Sequence, residues 1–94
     1  MSAEIRIIPD DLKMKAQQIL AIKTAHDQEM SKLTQLVNGL SDTWKGQAQA
    51  SFDAKYRNME PAFRNFSHVL EEYATAITNA ARIIEEADRV SMIQ

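Results

Sequence analysis

Two histidines and two glutamate pairs are the residues of this 94-residue chain that could support acid–base or metal chemistry. His26 and His68 lie in different halves of the chain, and nothing places a Ser and an orienting carboxylate beside either of them. The Glu-Glu pairs at 71–72 and 85–86 point their side chains to different faces of a helix, so neither pair can share a proton or a metal ion. The sequence therefore predicts that the protein is not an enzyme and holds no cofactor or metal.

Composition and charge exclude several other classes of function. The net charge is −2 and no long basic run occurs, so the chain lacks the surface that nucleic-acid binding requires. The last third of the chain is acidic, with Glu71, Glu72, Glu85, Glu86 and Asp88. This charge disfavours a membrane-perturbing protein, because surface-active helices usually carry Lys and Arg on their polar face. No signal-peptide pattern occurs, and no apolar run reaches the ~18 residues of a membrane span. We expect no nucleic-acid partner, no membrane insertion and no cleaved signal peptide.

The only break between two long helical patterns lies near the middle of the chain. Gly46 can adopt backbone conformations closed to other residues, while the Trp44 ring can pack back across a turn. Ser41, Asp42 and Thr43 can accept hydrogen bonds from free amides at the start of the next helix. We predict an arm at residues 1–9, a helix at 10–40, a turn at 41–46 and a helix at 47–92.

Both helices carry apolar residues at alternating spacings of three and four. The line on the first helix, interrupted at Lys23 and His26, consists of Leu12, Ala16, Ile19, Met30, Leu33, Val37 and Leu40. The unbroken line on the second consists of Phe52, Tyr56, Met59, Phe63, Phe66, Leu70, Tyr73, Ile77, Ala80, Ile84 and Ala87. A further apolar line runs beside it, at Ala62, Val69, Ala76, Ile83 and Val90. The apolar side of the second helix is thus too wide for one antiparallel neighbour.

This width predicts an all-α fold, an antiparallel helix-turn-helix hairpin that dimerises into a four-helix bundle. A hairpin of this length buries only a marginal core, and without Cys it has no disulfide, so another chain must supply burial. We favour a homodimer, with a related chain as the other possible partner. The apolar side is widest at the predicted dimer interface, which consists of Phe63, Phe66, Leu70 and Tyr73.

The second helix contains a proline and is longer than the first. Because the apolar line continues in phase on both sides of Pro61, we predict a kink there and no break. From the difference in length, we predict that the last ~15 residues of the second helix extend past the first.

Trp-x-Gly at the midpoint of a short chain, with a long helix on each side and no Cys, resembles the WXG100 family. These are relatives of early secreted antigens exported by type VII (ESX) secretion systems. The family pattern also has an apolar stretch before Pro and acidic residues, matched at 7–12, and a Phe soon after the Gly, matched by Phe52. The resemblance covers essentially the whole chain. It implies a protein made in the cytoplasm, recognised by the type VII export ATPase and secreted, which acts through protein contacts as a substrate or virulence-type effector.

The family's export signal is a Tyr-x-x-x-Asp/Glu motif at or just after the end of the second helix, and this chain departs from it. The fourth residue after Tyr73 is an Ile, and the nearest equivalent in the tail is Ile84-x-x-x-Asp88. We hypothesise that Ile84, Val90 and Ile93, with Asp88 as the oriented charge, dock on the ATPase from a tail that is frayed in the free protein. The departure leaves open an alternative, a cytoplasmic adaptor or chaperone that pairs with the helical region of a larger type VII substrate.

Overall fold

The computed structural model describes the backbone of residues 7–93 and the side chains of residues 7–91. Two long helices, α1 (Pro9–Gly39) and α2 (Gln47–Ile93), pack as a hairpin, so the described chain is all-α as predicted. One turn of 3-10 helix, Leu40–Asp42, follows α1, and residues 43–46 complete the connection. Neither described helix combines the length and the hydropathy needed to cross a membrane.

The start of α1 follows from its first residues. Ile8 has an extended backbone, with φ −110° and ψ 105°, as expected for a residue before proline. Pro9 occupies the first turn, where its missing N–H costs no hydrogen bond, and Asp10 and Asp11 complement the positive end of the helix. Ile7 and Ile8 are exposed, and residues 1–6 of the predicted arm lie outside the described residues.

Pro61 does not interrupt α2, which is helical from Gln47 to Ile93. The proline ring is exposed, so it lies away from the contact with α1. Its missing N–H removes one helical hydrogen bond to the carbonyl of Arg57. The second helix is therefore one continuous scaffold on which the side chains on both sides of Pro61 keep their common register.

The seam between α1 and α2 closes most tightly in the half far from the turn. Ala16 on α1 and Ala74 and Ala81 on α2 are fully buried there, because small side chains let the two backbones approach closely. Nearer the turn, Val37 and Tyr56 are the buried residues. The buried core of the described hairpin is therefore small, as expected for a single helical hairpin of this size.

The seam uses only part of the apolar line predicted on α2. Every second member of that line faces α1 and is buried or half-buried, namely Tyr56, Phe63, Leu70, Ile77 and Ile84. The seam is completed from the other flank of α2 by residues that are polar or small, namely Asp53, Glu60, Ser67, Ala74 and Ala81. The line of Phe52, Met59, Phe66 and Tyr73 is exposed instead. The predicted line therefore divides into a part in the seam and a part outside it. Of the polar residues in the seam, Ser67 donates to Asp27 of α1, whereas Asp53 and Glu60 pair with Arg57 of α2 itself.

The overhang of α2 is also shorter than predicted. Lys13 forms an ion pair with Glu85, so Pro9, four residues earlier, lies beside the region of residue 89. Only about four residues of α2 therefore extend past the start of α1. At the other end, the first turns of α2 lie beside the connection, where Trp44 contacts Phe52. The extra length of α2 is thus divided between both ends of the hairpin.

Candidate interaction surface

Large apolar side chains line one exposed side of the hairpin, which we call the apolar face. On α2 it consists of Phe52, Met59, Phe66, Val69, Tyr73, Ile83 and Val90, whose exposed fractions lie between 44% and 65%. On α1 it consists of Ile22, Leu33 and Leu36, which are also exposed. The α2 members repeat at heptad spacing in two adjacent lines, so they form one strip along the helix.

The α1 and α2 parts of this face lie on the same side of the hairpin. The rings of His26 and Phe66 meet edge to face across the seam, with 5.2 Å between their centroids. Leu33 lies one heptad after His26. Ile22 lies four residues before His26, and Leu36 lies three residues after Leu33, so all four residues share one flank of α1. The flank of α1 that contacts Phe66 therefore continues the strip of α2.

Hydrogen bonds and ion pairs occupy the opposite edge of the seam, which we call the polar edge. Asp27 accepts hydrogen bonds from Lys23 Nζ at 2.7 Å and from Ser67 Oγ at 2.6 Å, the second of which joins α1 to α2. The hydrogen bond from Lys23 is the main cause that holds the pKa of Asp27 below its ordinary value, and the hydrogen bond from Ser67 lowers it further. The same hydrogen bond with Asp27 raises the pKa of Lys23. Lys23 Nζ also lies 3.9 Å from a carboxylate oxygen of Glu71 on α2.

Two further contacts extend the polar edge towards both ends of the hairpin. Lys13 pairs with Glu85 far from the turn, and this hydrogen bond raises the pKa of Lys13. Near the turn, Arg57 donates a hydrogen bond to the side-chain oxygen of Asn38. Arg57 and Glu85 are separated by a multiple of seven residues, so they lie on the same flank of α2, away from the apolar face. The hairpin is therefore polar along one edge and apolar on the other side.

The residues predicted for the dimer interface fall into two groups. Phe63 and Leu70 are half-buried in the seam against α1, so they stabilise the hairpin itself. Phe66 and Tyr73 are exposed and belong to the apolar face. Sequence reasoning did not separate the two groups, because all four residues share a single 3-4 pattern on α2.

The connection brings Trp44 to the turn end of the apolar face. The Trp44 ring is 40% exposed and packs against Phe52, with 6.1 Å between centroids, and the Trp44 amide donates to the carbonyl of Leu40 at 2.8 Å. Gly46 has φ +131°, a conformation that L side chains rarely adopt, although no atom lies within 4 Å of a would-be Cβ. The glycine is therefore required by its backbone conformation and not by crowding.

The predicted capping role of the residues before Trp44 is corrected by the structure. Ser41 and Asp42 belong to the 3-10 turn that follows α1, and Thr43 caps that turn through its backbone N–H. The first backbone hydrogen bond of α2 instead runs from the amide of Ala50 to the carbonyl of Gly46, at 3.1 Å. The extra 3-10 turn moves all three residues away from the start of α2.

The two histidines are not brought together. His26 Nε2 donates to the backbone carbonyl of Phe63 at 3.1 Å, in the seam, whereas His68 is exposed and lies 3.1 Å from Glu72 on the same helix. Among the residues that the structure describes, no three His, Cys, Asp or Glu side chains are grouped so that they could hold a metal ion. The two histidines therefore lie apart, one in the seam and one on the surface.

The family model for proteins of 100 residues with WXG matches residues 4–89. The chain belongs to the WXG100 family. An ESAT-6-like protein of Streptococcus agalactiae is 28% identical over 86 residues, covering 92% of this chain and 90% of that protein. The type VII secretion system extracellular protein A of Staphylococcus aureus is 25% identical over 87 residues, covering 93% and 90%. Relatives of this WXG100 chain thus include a protein named as a type VII extracellular protein.

Solved structures share the WXG100 hairpin. EsxA of Geobacillus thermodenitrificans superposes with a TM-score of 0.83 at 26% identity, over 95% of this chain and 96% of that one. The secreted protein EsxB of Bacillus anthracis superposes with a TM-score of 0.79 at 24% identity, over 93% and 99%, which supports the fold alone. Both likenesses extend over nearly the full length of α1 and α2.

The tail of this WXG100 chain is helical as far as Ile93, which corrects the expectation that it is frayed. Ile84 is half-buried at the end of the seam, while Asp88 and Val90 are exposed beyond the Lys13–Glu85 pair. The side chain of Ile93 lies outside the described residues. Of the four residues predicted for the export signal, Asp88 and Val90 are therefore the two whose side chains are seen to be free of the seam.

Proposed function

We propose that this chain is a substrate of a type VII secretion system that is made in the cytoplasm, exported without a cleaved signal peptide and active through protein contacts. Membership of the WXG100 family and the name of the Staphylococcus aureus relative support the export route. The observation that carries the mode of action is the apolar face. This face runs from Phe52 at the turn to Val90 near the far end, and among the residues that the structure describes no third helix covers it.

The shape of the hairpin explains why this face requires a partner. The described chain measures 73 × 28 × 16 Å, so it is one helix thick and each helix has a single helical neighbour. Helical domains normally bury their apolar faces between at least two layers. Full burial of a large apolar side chain contributes ~1.5–3 kcal/mol, and the side chains of this face, already about half covered, would gain part of that amount. A second hairpin laid on the apolar face would supply the missing layer and form a four-helix bundle.

A second copy of this chain fits the face when it lies antiparallel. The heptad line on α2 carries large residues in its first half and small exposed ones at its end, in the order Phe52, Met59, Phe66, Tyr73, Ala80, Ala87. Antiparallel pairing about the midpoint of this line places Phe52 opposite Ala87, Met59 opposite Ala80, and Phe66 opposite Tyr73. Each contact then matches a larger side chain with a smaller one, or ring with ring, as close packing requires. Parallel pairing would set the large residues against one another and leave the alanines apart.

Engineered disulfides test this dimer directly, because the chain contains no native Cys. Met59→Cys and Ala80→Cys chains, mixed and oxidised, should cross-link to each other, since disulfides need Cα atoms within ~7 Å. Ala80→Cys alone should not cross-link to itself, because the two copies of that position would be ~31 Å apart along the antiparallel helices. Self-cross-linking of Ala80→Cys in preference to the mixed pair would show a parallel dimer. The absence of both cross-linked products would rule out the proposed homodimer.

Export is tested by following the protein in its source cells. The chain should appear in the culture medium with its N-terminus intact, and inactivating the type VII ATPase should retain it in the cells. A protein that stays inside cells with a working ATPase and co-purifies with a larger chain would instead establish the adaptor function. The measurement is the fraction of the protein in medium and in cells, compared with a cytoplasmic marker.

A further inference from the structure

We propose that Met59 is a reversible oxidation site that controls pairing through the apolar face. The inference rests on the proposed dimer. Met59 is 54% exposed in the single hairpin, so an oxidant can reach its sulfur before pairing. It lies one heptad from Phe52 on one side and from Phe66 on the other, within the strip that a second copy would cover.

The chemistry requires only a hydroperoxide. A sulfur lone pair of Met59 attacks the terminal oxygen of the peroxide, the O–O bond breaks, and the sulfur takes up one oxygen atom as a sulfoxide. The sulfur is oxidised by two electrons, and hydrogen peroxide is reduced to water. The reverse step uses two thiols, which become a disulfide and release the oxygen as water, and sulfoxide reductases catalyse it.

A sulfoxide at this position opposes pairing for a physical reason. The thioether is a flexible apolar group that packs well, whereas the sulfoxide oxygen is a strong hydrogen-bond acceptor. In the antiparallel dimer Met59 faces Ala80, which has no side-chain donor, so pairing would strip water from the sulfoxide without replacing its hydrogen bonds. The dimer contains this contact twice. Oxidation should therefore raise the dissociation constant of the dimer at least about tenfold.

Met14 provides a matched control in the same chain. Its side chain is 57% exposed, so it is as accessible to peroxide as Met59. It lies on the outward side of α1, one turn from Asp10, Asp11 and Gln18, away from the apolar face and from the seam. Oxidation of Met14 should therefore proceed equally well and leave pairing unchanged.

The experiment compares the wild-type chain, Met59→Leu and Met14→Leu before and after treatment with hydrogen peroxide. Peptide mass mapping identifies which sulfurs carry oxygen, circular dichroism follows the hairpin, and analytical ultracentrifugation gives the dissociation constant. Oxidised wild type and Met14→Leu should lose affinity at least about tenfold, while Met59→Leu keeps its affinity. Sulfoxide reductases with dithiothreitol should restore the wild-type value. Met59→Gln, a polar side chain of similar length, should weaken the dimer without oxidant.

The outcomes separate this inference from the dimer on which it rests. Untreated wild type that is monomeric would overturn both. A dimer that forms normally and keeps its dissociation constant with Met59 fully oxidised would overturn the oxidation site alone. Equal sensitivity of Met59→Leu and wild type would do the same, because another sulfur would then be responsible.

Discussion

His26 and Phe66 meet edge to face across the hairpin, with 5.2 Å between ring centroids and 77° between ring planes. His26 Nε2 also donates to the carbonyl of Phe63, one turn before Phe66, which fixes the imidazole against α2. The contact supports Phe66 from one side while 51% of its side chain stays exposed on the apolar face. A large aromatic residue held in place in this way is suited to anchor a second chain.

Phe66→Glu should separate the proposed dimer and leave the hairpin folded. The substitution places a charge where a second copy would bury it, so the dissociation constant should rise at least about thirtyfold, as for an interface hot spot. Circular dichroism should show unchanged helix content, since half of the side chain is exposed in the single chain. Ala54→Glu adds the same charge on the outward side of α2 and should keep the dimer. Analytical ultracentrifugation measures the oligomeric state of both variants. A stable Phe66→Glu dimer would show that the interface lies elsewhere.

Trp44→Ala should destabilise the protein by about 1–3 kcal/mol, less than the ~3–5 kcal/mol expected for a fully buried aromatic ring. Trp44 is 40% exposed and its ring packs against Phe52. The substitution therefore removes only the buried part of the ring from a packing contact. Lys45→Ala, between Trp44 and Gly46, should stay within about 0.5 kcal/mol of wild type. Urea unfolding at one fixed protein concentration measures both. Unchanged stability of Trp44→Ala would mean that the indole serves recognition alone.

The hydrogen bonds to Asp27 should make stability fall in acid. The pKa of Asp27 is lower in the folded chain than its ordinary value of 3.8. The ionised carboxylate therefore stabilises the folded state above that pH, and this stabilisation is lost as the pH falls through the folded pKa. Asp27→Asn should therefore be less stable than wild type at neutral pH and should lose less stability below pH ~4. Asp42→Asn, which removes an exposed carboxylate outside the seam, is the control for the loss of a carboxylate elsewhere in the chain. Thermal melts between pH 2 and 7 measure this. Melting temperatures of wild type and Asp27→Asn that fall by the same amount in acid would contradict the prediction.

Asp88→Ala should reduce export without affecting the fold. The carboxylate of Asp88 is exposed beyond the last ion pair of the seam, so its removal should change stability by less than about 0.5 kcal/mol. If it is the oriented charge of the export signal, secretion should fall at least about tenfold, the effect of losing one charge-assisted contact. Glu86→Ala is the control, because Glu86 already pairs with Arg89. Normal secretion of Asp88→Ala would assign the signal to another segment or to a partner chain.

The sequence by itself determined the elements and the connection between them. The 3-4 spacing of apolar residues requires two helices, because no other regular structure places such residues on one side. Gly46, at φ +131°, together with Trp44, marks the only break, since a residue without Cβ is needed there. These local requirements depend only on the types and spacing of residues. The expected helices at 10–40 and 47–92 therefore lie close to α1 and α2.

Tertiary structure decided which side of α2 faces α1. Periodicity favoured the line through Phe66 and Tyr73 for burial, yet the seam instead takes Ser67 and, farther along, the small residues Ala74 and Ala81. A pattern read on one helix cannot show that Ser67 will find Asp27 on the other helix, at 2.6 Å, and so be accommodated. That partnership depends on the register in which α1 and α2 pack, which neither helix determines alone. The apolar side chains left outside the seam are the consequence, and they make the surface on which a partner can act.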